Sequence, residues 1–321
     1  MNHNLKMKLF ELSKKNEFFS KFYHKAARVK TKHLQEMSDE EFLKRLFKEN
    51  VGYELNLDNP QTFNEKLQWL KLHDRKPIYT IMADKYEAKK FVAERIGSEH
   101  IIPIVGGPWY DANDIQWREL PEQFVLKCNH DCGSVIICKD KNRFDFFDAV
   151  KKLNKALRNN YFYVGREWPY KNIKPCIFAE KYMVDESGYE LKDYKLFCFD
   201  GVVKTIQVDF GRFSKHERNL YSPTWKYLGY TSNYPTNPNV QIPRPDNLDE
   251  MLSFAETLSE GIPHIRIDFY NVNGHCYFGE ATFYHGGGTE KFDPPEWDSI
   301  LGSWIELPKA DGYQYKNTCA K

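Results

Sequence analysis

The chain has 321 residues, of which 41% are hydrophobic and 16% aromatic, enough to fill a sizeable globular core. Its charged fraction is 28%, and no apolar run approaches the roughly 20 residues that span a membrane, which excludes the disordered, collagen-like and transmembrane classes. Seven cysteines without a regular spacing are typical of reduced thiols, so we expect a cytoplasmic protein.

The net charge of +1 is too balanced for a dedicated nucleic-acid binder, and no nucleic-acid partner is expected. The charge is nevertheless uneven, because residues 1–33 carry nine basic side chains against two acidic ones, a net charge of +7. Such a segment favours peripheral contact with an anionic membrane surface, where each basic residue contributes about 1 kcal/mol. The alternative is the solvated face of a helix whose leucines and phenylalanines pack inward.

Helical patterns dominate the first hundred residues. Ser38 with Glu41 and Thr62 with Glu65 match the capping box, and apolar residues at helical spacing follow each pair. A third helical pattern covers residues 78–95. The β-rich runs that follow are at 101–105, 124–128, 134–138, 176–184, 194–199, 202–208, 264–270 and 275–280.

Turn signals connect several of these runs. Asp200-Gly201 and Asn273-Gly274 each stand between two β-rich runs and predict hairpin turns. Helices are predicted at about 143–159 and over 248–260, the second capped by Asn247, and a long loop over 229–246. The pattern therefore predicts an α+β fold, in which a helical N-terminal lobe precedes antiparallel hairpins.

The run FVLKCNHDCGS, residues 124–134, places Lys127 near the end of a strand that leads into a polar loop containing Gly133. Because lysine is rarely buried without a partner, a lysine inside an apolar run favours a bound anion such as a polyphosphate. The alternative is a lysine on an edge strand whose ammonium reaches solvent. No P-loop and no glycine-rich dinucleotide motif offers another phosphate site.

The segment HIRIDFYNVNGHCYFGE, residues 264–280, carries two acids that a hairpin would place on facing strands, Asp268 and Glu280. Arg266 shares a strand face with Asp268, because residues i and i+2 point the same way. Magnesium prefers oxygen ligands and typically uses one or two carboxylates together with nucleotide phosphates. The hairpin therefore indicates a magnesium site, with an ordinary surface ion pair between Arg266 and Asp268 as the alternative.

Two further segments suit a nucleotide and a second substrate. Glu180, Lys181 and Tyr182 end an apolar strand, while Asp193 and Lys195 open the next strand on one face, so a base, a ribose and phosphates could be bound there. A stretch after the strand at 202–208 contains side chains suited to a carboxylate and sugar hydroxyls, namely Arg212, His216, Arg218 and Asn219. A plain basic loop is an equal alternative for that stretch.

Taken together, these segments resemble the TupA-like (teichuronopeptide-type) ATP-grasp proteins of bacterial surface-polysaccharide gene clusters. The segment PQTFNEKLQWLKLHDRKPIYTIMADKY, residues 60–86, resembles the family's N-terminal signature, and the lysine strand, glycine loop, E-K-Y hinge and D…E hairpin follow in order. The resemblance implies an ATP-grasp fold in which two α+β lobes grip ATP after a helical N-terminal lobe. The expected divisions are a basic helical segment (1–50), an N-terminal lobe (51–110), a small lobe with the lysine strand and lid loop (111–185) and a large lobe with the magnesium hairpin (186–321).

The resemblance also implies roles for individual residues. Those that would contact ATP are Lys85, Lys127, Gly133, Ser134, Glu180, Lys181, Tyr182, Asp193 and Lys195. Asp268 and Glu280 would hold Mg²⁺, and catalysis would depend on Lys127 and on Arg266, which would steady the acyl-phosphate. One departure is Thr282, where most ATP-grasp proteins have asparagine, although TupA-like proteins commonly share the threonine.

The implied activity is an ATP-dependent ligase of capsule or cell-surface polysaccharide biosynthesis. It would join an amino acid or amine to a uronic-acid-type carboxylate through an acyl-phosphate, forming an amide and releasing ADP and phosphate. Three alternatives remain open: a glycosyltransferase, an ATP-grasp kinase, and a non-catalytic partner that binds a glycan or lipid carrier.

Overall fold

The computed structural model describes residues 36–185, 191–211 and 216–308, so the basic segment 1–33 and Arg212 lie outside the described residues. The helices of these ranges are α1 (Asp39–Asn50), α2 (Phe63–His73), α3 (Pro77–Ala83), α4 (Glu87–Ile96), α5 (Phe146–Leu157), α6 (Phe162–Gly165), α7 (Leu248–Ser259) and α8 (Glu296–Ser303). The strands are β1 (Ile104–Trp109), β2 (Phe124–Cys128), β3 (Val135–Cys138), β4 (Ile177–Lys181), β5 (Asp193–Phe199), β6 (Val202–Phe210), β7 (Glu217–Tyr221), β8 (Thr231–Ser232), β9 (Ile265–Val272), β10 (His275–Thr282) and β11 (Phe292–Asp293).

These strands form two antiparallel sheets and one small pair. The four-stranded sheet has the order β1-β4-β2-β3, and the five-stranded sheet has the order β10-β9-β5-β6-β7. Strands β8 and β11 form the pair. Helices together with antiparallel sheets give the α+β class that the sequence predicts.

Each sheet has its own hydrophobic core. The larger core joins the five-stranded sheet to α1–α4 and α7, and includes Phe63, Trp69 and Phe269, all 0% exposed. The smaller core lies between the four-stranded sheet and α5 and includes Phe124 and Leu153. Each such side chain contributes about 1.5–3 kcal/mol when fully buried, so each sheet is stabilised by a core of its own.

The local turn and cap signals are mostly confirmed. Both hairpin dipeptides have positive φ at their two residues, as a type I′ turn requires. Thr62 forms the complete capping box with Glu65. The prediction that Asn247 caps α7 is wrong for its side chain, because the Asn247 amide donates to the Gly274 carbonyl at 3.1 Å instead.

Two element boundaries differ from the predictions in ways that matter for the site. The helical pattern over 78–95 is broken, because the Asp84 carboxylate accepts the backbone N–H groups of Tyr86 and Glu87 and starts a new helix there. This break holds Lys85 between α3 and α4. Strand β1 starts at Ile104, directly after Pro103, which cannot donate a ladder hydrogen bond. Strand β1 pairs with β4, although it precedes residue 111, where the small lobe is predicted to start.

Most of the predicted long loop over 229–246 is irregular, apart from Thr231–Ser232, which forms β8.

None of the helices within the described ranges is both long enough and apolar enough to cross a membrane.

Candidate active site

A cleft of about 370 Å³ separates the two sheets. This volume lies within the roughly 300–1,000 Å³ of typical ligand pockets. Nine of the predicted site residues line this cleft: Lys85, Lys127, Glu180, Lys181, Tyr182, Asp193, Lys195, Asp268 and Glu280. The structure therefore brings together the lysine strand, the E-K-Y segment and the acidic hairpin.

One part of the cleft is apolar and lies against the end of β4. Its lining includes Ile102, Val125, Ile137, Met183 and Leu191, side chains that can pack on the faces of a flat base. The chain leaves β4 at Lys181, whose backbone N–H donates to the Pro103 carbonyl at 2.9 Å.

The Glu180 carboxylate is the centre of a buried triad with two lysines. Its oxygens lie 2.5 Å from the ammonium groups of Lys89 and Lys127. Burial alone would raise the pKa of Glu180, but the two ammonium groups outweigh burial and lower it. The carboxylate thus positions Lys127 at the cleft wall.

Lys89 is a buried lysine beside the cleft that the helical pattern over 78–95 does not single out. Lys89 is 6% exposed and also donates to the Ile102 carbonyl at 3.1 Å. Burial lowers its pKa despite the contact with Glu180.

Opposite the lysine strand, β5, β9 and β10 present a charged cluster. The Lys195 ammonium lies 2.8 Å from the carboxylates of both Asp193 and Asp268. The Arg266 guanidinium donates two hydrogen bonds, of 2.7 and 2.8 Å, to the Asp268 carboxylate. Burial would lower the pKa of Lys195, but Asp268 and Asp193 raise it, so the lysine stays charged. Asp268 and Glu280 lie on facing strands, as the sequence predicts, and a register shift between Phe278 and Glu280 brings the two acids opposite each other.

Glu280 combines access to solvent with several cationic neighbours. Its side chain is 35% exposed, and its carboxylate lies 3.2 Å from Arg266 and 3.6 Å from Lys85. Although burial would raise the pKa of Glu280, the cations led by Lys85 lower it to about 2. Glu280 is therefore ionised at neutral pH and open to a ligand.

The predicted lid loop, residues 131–134, starts beside this cluster. Lys85 Nζ donates to the Asp131 carbonyl at 2.6 Å, and the Ser134 hydroxyl donates to the Asp131 carboxylate. Gly133 has a φ of 109° and no neighbouring atom within 4 Å of the position that a Cβ would take. The loop lies at the acidic end of the cleft, and its role as a lid stays a prediction.

The residues present fit a magnesium ion bound together with phosphates. Asp268 and Glu280 supply hard oxygen ligands from facing strands, and the Thr282 hydroxyl lies 3.4 Å from Glu280. Within the described ranges, no group of three or more His, Cys, Asp or Glu side chains could hold a metal alone. Phosphate and water oxygens would have to complete the coordination, which is the usual arrangement for Mg²⁺ at a nucleotide.

The candidates for the second substrate have structural partners. Arg218 is 6% exposed and donates to Asp209 at 2.7 Å, and His216 lies 3.5 Å from the same aspartate. The Asn219 amide is 0% exposed and bonds the backbone of Asn237 on both its donor and its acceptor side. These contacts favour a role for Asn219 in holding the 229–246 loop in place.

A family model of the TupA-like ATP-grasp proteins matches residues 65–306 of this sequence. The chain belongs to this family. Membership confirms the resemblance, and it gives the two-lobed arrangement around the cleft its name, the ATP-grasp fold. It also supports ATP as the bound nucleotide and an ATP-dependent ligase as the general class of activity.

Solved structures with a similar fold include D-alanine–D-alanine ligase from Bacillus anthracis in complex with ATP. That enzyme is 15% identical, the match covers 63% of this TupA-like chain and 54% of the ligase, and the TM-score is 0.37. The L-amino acid ligase from Bacillus licheniformis is 14% identical, with 78% and 57% of the two chains covered and a TM-score of 0.44.

The TupA-like chain thus spans little more than half the length of these two enzymes. At these TM-scores the likeness supports no conclusion about substrate. No curated protein matches the chain by sequence.

Proposed function

We propose that this TupA-like ATP-grasp protein joins an amino acid or amine to a uronic-acid-type carboxylate in capsular or cell-surface polysaccharide biosynthesis. The observation that carries the proposal is the grouping of Lys85, Lys195 and Arg266 with Asp268 and Glu280 at one end of the cleft. Such a grouping suits a nucleotide triphosphate whose terminal phosphate is transferred, because phosphoryl transfer depends mainly on positioning and charge stabilisation.

The reaction has two steps. A carboxylate oxygen of the acid attacks the γ-phosphorus of ATP, the bond to the β-phosphate oxygen breaks, and ADP leaves. The amine nitrogen then attacks the acyl carbon, the bond to phosphate breaks, and the protons lost by nitrogen pass to phosphate and solvent. The products are an amide, ADP and inorganic phosphate.

Each cation has a place in this scheme. Lys127, Lys195 and Lys85 would bind phosphate oxygens, and Lys127 would do so from its position beside Glu180. The Arg266 guanidinium has five N–H donors. Its contacts with Asp268, Glu280, Thr282 and His285 engage four of them. One Nη1 hydrogen has no partner among the described residues and could donate to the acyl-phosphate.

The remaining predicted residues would bind the nucleoside and the metal. Glu180–Tyr182 would meet the adenine through the backbone, and Asp193 would face the ribose. Asp268 and Glu280 would hold Mg²⁺, which neutralises charge on the phosphate oxygens when it is bound. Residues 131–134 would exclude water from the acyl-phosphate.

The uronic acid and the polysaccharide context come from the family resemblance. A cytoplasmic location with peripheral membrane contact through the basic segment 1–33 would suit an enzyme that acts on a membrane-linked glycan.

The test measures ADP release over a panel of uronic acids and amines. We expect ADP and phosphate in equal amounts only when an acid and an amine are both present, with an amide detected by mass spectrometry. ATP hydrolysis that neither substrate accelerates would contradict the ligase, and a stable phosphorylated product would identify a kinase. Thermal stabilisation by UDP-sugars but not by ATP would favour a glycosyltransferase.

A further inference from the structure

Glu167 is a buried carboxylate that the proposed reaction does not use. It follows the short helix α6, is 7% exposed, and has no hydrogen-bond or ion-pair partner for its carboxylate among the described residues. A buried carboxylate without such a partner is costly, so it requires an explanation. Burial raises the pKa of Glu167, while Lys71 and Lys85 lower it less strongly.

The nearest buried cation does not supply the missing hydrogen bonds. Lys71 is 0% exposed, and its ammonium donates to Gln68 at 3.1 Å, to the Gly165 carbonyl at 2.9 Å and to the Gly287 carbonyl at 2.8 Å. An ammonium has three N–H donors, so these three acceptors use all of them. Lys71 balances the charge of Glu167 without donating to it, so the carboxylate oxygens of Glu167 remain available to a ligand.

Two tyrosines near Glu167 also have hydroxyl groups without a partner in the described part of the chain. The rings of Tyr161 and Tyr170 meet edge to face at 5.0 Å. Burial first, and then the charge of Glu167, raises the pKa of both hydroxyls, and Glu280 contributes in the same direction. The two hydroxyls therefore lie in the field of both carboxylates.

Glu167 also lies against the turn that follows the acidic hairpin. A Cβ at Gly287 would stand 4.0 Å from Glu167 Oε1, and Gly286 and Gly287 both have left-handed φ values, 57° and 63°. Lys85 connects the two regions, because its charge lowers the pKa of Glu167 and its ammonium lies 3.6 Å from Glu280. The same turn contacts the acidic hairpin, because His285, two residues before Gly287, accepts a hydrogen bond from Arg266 at 2.7 Å. Glu167 therefore lies against the turn that follows the acidic hairpin.

We propose that Glu167, with the hydroxyls of Tyr161 and Tyr170, binds the ammonium group of the amine substrate. This inference rests on the proposed ligase function and names the chemistry of its second substrate, a primary amine that arrives as a cation. An ammonium offers three donors to a carboxylate and two phenol oxygens, which matches the three groups left without partners. Charge complementarity selects an ammonium over a hydroxyl at this position.

The test separates the two half-reactions in wild type and in Glu167→Gln. Hydroxylamine is uncharged at neutral pH and traps an acyl-phosphate as a hydroxamate, so it reports the first half-reaction without an ammonium. The acids are glucuronate, galacturonate and mannuronate, and the amines are glycine, L-lysine, ethanolamine and glucosamine. We expect Glu167→Gln to keep the hydroxamate rate and to raise the KM of the coupled amine about 10- to 100-fold.

Matched variants keep the result interpretable. Glu256→Gln makes the same chemical change at an exposed position of α7 and should alter neither reaction. Tyr161→Phe and Tyr170→Phe each remove one hydroxyl and should raise the amine KM several-fold, so they decide the matter if Glu167→Gln does not fold.

The possible results separate the ammonium site from the proposed ligase function. A wild-type protein that forms no hydroxamate with any of the acids overturns the proposed function. Hydroxamate formation that no amine competes with, or an amine KM that Glu167→Gln and both phenylalanine variants leave unchanged, overturns the ammonium site alone. A parallel loss of hydroxamate rate and thermal stability in Glu167→Gln would make the residue a structural counter-charge for Lys71 and also overturn the ammonium site.

Discussion

Lys85 lies between the loop at Asp131 and the acid Glu280: its ammonium donates to the Asp131 carbonyl at 2.6 Å and stands 3.6 Å from the Glu280 carboxylate. One side chain thus contacts both the predicted lid and the predicted metal site. It holds this position because the Asp84 carboxylate interrupts the helical pattern at that point.

Replacing Lys85 should therefore impair turnover more than stability. We expect Lys85→Met to lower the rate of ADP release by about 10²–10³-fold, the usual loss when one charge-stabilising donor is removed. The melting temperature should change little, because the side chain keeps its apolar stem. Steady-state kinetics and thermal unfolding measure the two effects, with exposed Lys44→Met as the control. A turnover equal to that of wild type would remove Lys85 from the site.

Substitutions of Lys89 and Lys127, the two lysines that contact Glu180, should affect stability and activity to different extents. Lys89 is almost fully buried, so Lys89→Met should lower the free energy of unfolding by about 2 kcal/mol, because it leaves the buried carboxylate with one cation. Lys127 lines the cleft, so Lys127→Met should remove most turnover at a smaller cost in stability. Urea unfolding and ADP release measure both variants. Equal effects of the two changes on each quantity would contradict the division of roles.

Which of these features could be predicted from sequence depends on how local their causes are. The two hairpins follow from Asp200-Gly201 and Asn273-Gly274. The second turn sets the register as far as Phe278 opposite Phe269, and a shift of one residue at Gly279 then brings Glu280 opposite Asp268, which the turn signal does not predict. Strand β1 extends beyond the β-rich run at 101–105 into Gly106, Gly107 and Pro108. These residues have low β propensity, so tertiary contacts fix the pairing of β1 with β4.

The missed site residues depend on partners far away in sequence. Lys89 belongs to a helix, and nothing in the helical pattern indicates that Glu180 will approach it. Glu167 lies in a segment without a strong pattern, and its importance comes from the hydrogen bonds that Lys71 gives to Gly165 and Gly287 instead. Such placements follow from packing between lobes, which single-sequence periodicity does not encode.

The metal prediction can be tested at Glu280. We expect Glu280→Gln to lower turnover by about 10²-fold or more, because an amide cannot replace a charged ligand of Mg²⁺. Chelation by EDTA should abolish activity of the wild type, and Mg²⁺ should increase the thermal stabilisation by ATP in wild type but not in the variant. Glu260→Gln, at an exposed position, is the control. ATP stabilisation that is independent of Mg²⁺ in both proteins would contradict the assignment.

The buried His264 predicts a pH dependence of stability. It is 2% exposed, its Nδ1–H donates to the Cys198 carbonyl at 3.0 Å, and burial lowers its pKa to about 3. The folded protein therefore keeps His264 neutral, whereas the unfolded chain binds a proton below a pKa of about 6.5. Stability contributed by this difference is present above pH about 6.5 and falls as the pH drops toward 3.

Between pH 6.5 and 5 the loss from this one residue should be about 2 kcal/mol, at about 1.4 kcal/mol for each pH unit. His264→Phe fits the surrounding rings of Phe63 and Phe199 and should remove this part of the pH dependence. Urea unfolding at several pH values measures the slope in wild type and variant, with the more exposed His275→Phe as the control. Parallel slopes for wild type and His264→Phe would show that His264 becomes protonated in the folded protein, contrary to its burial.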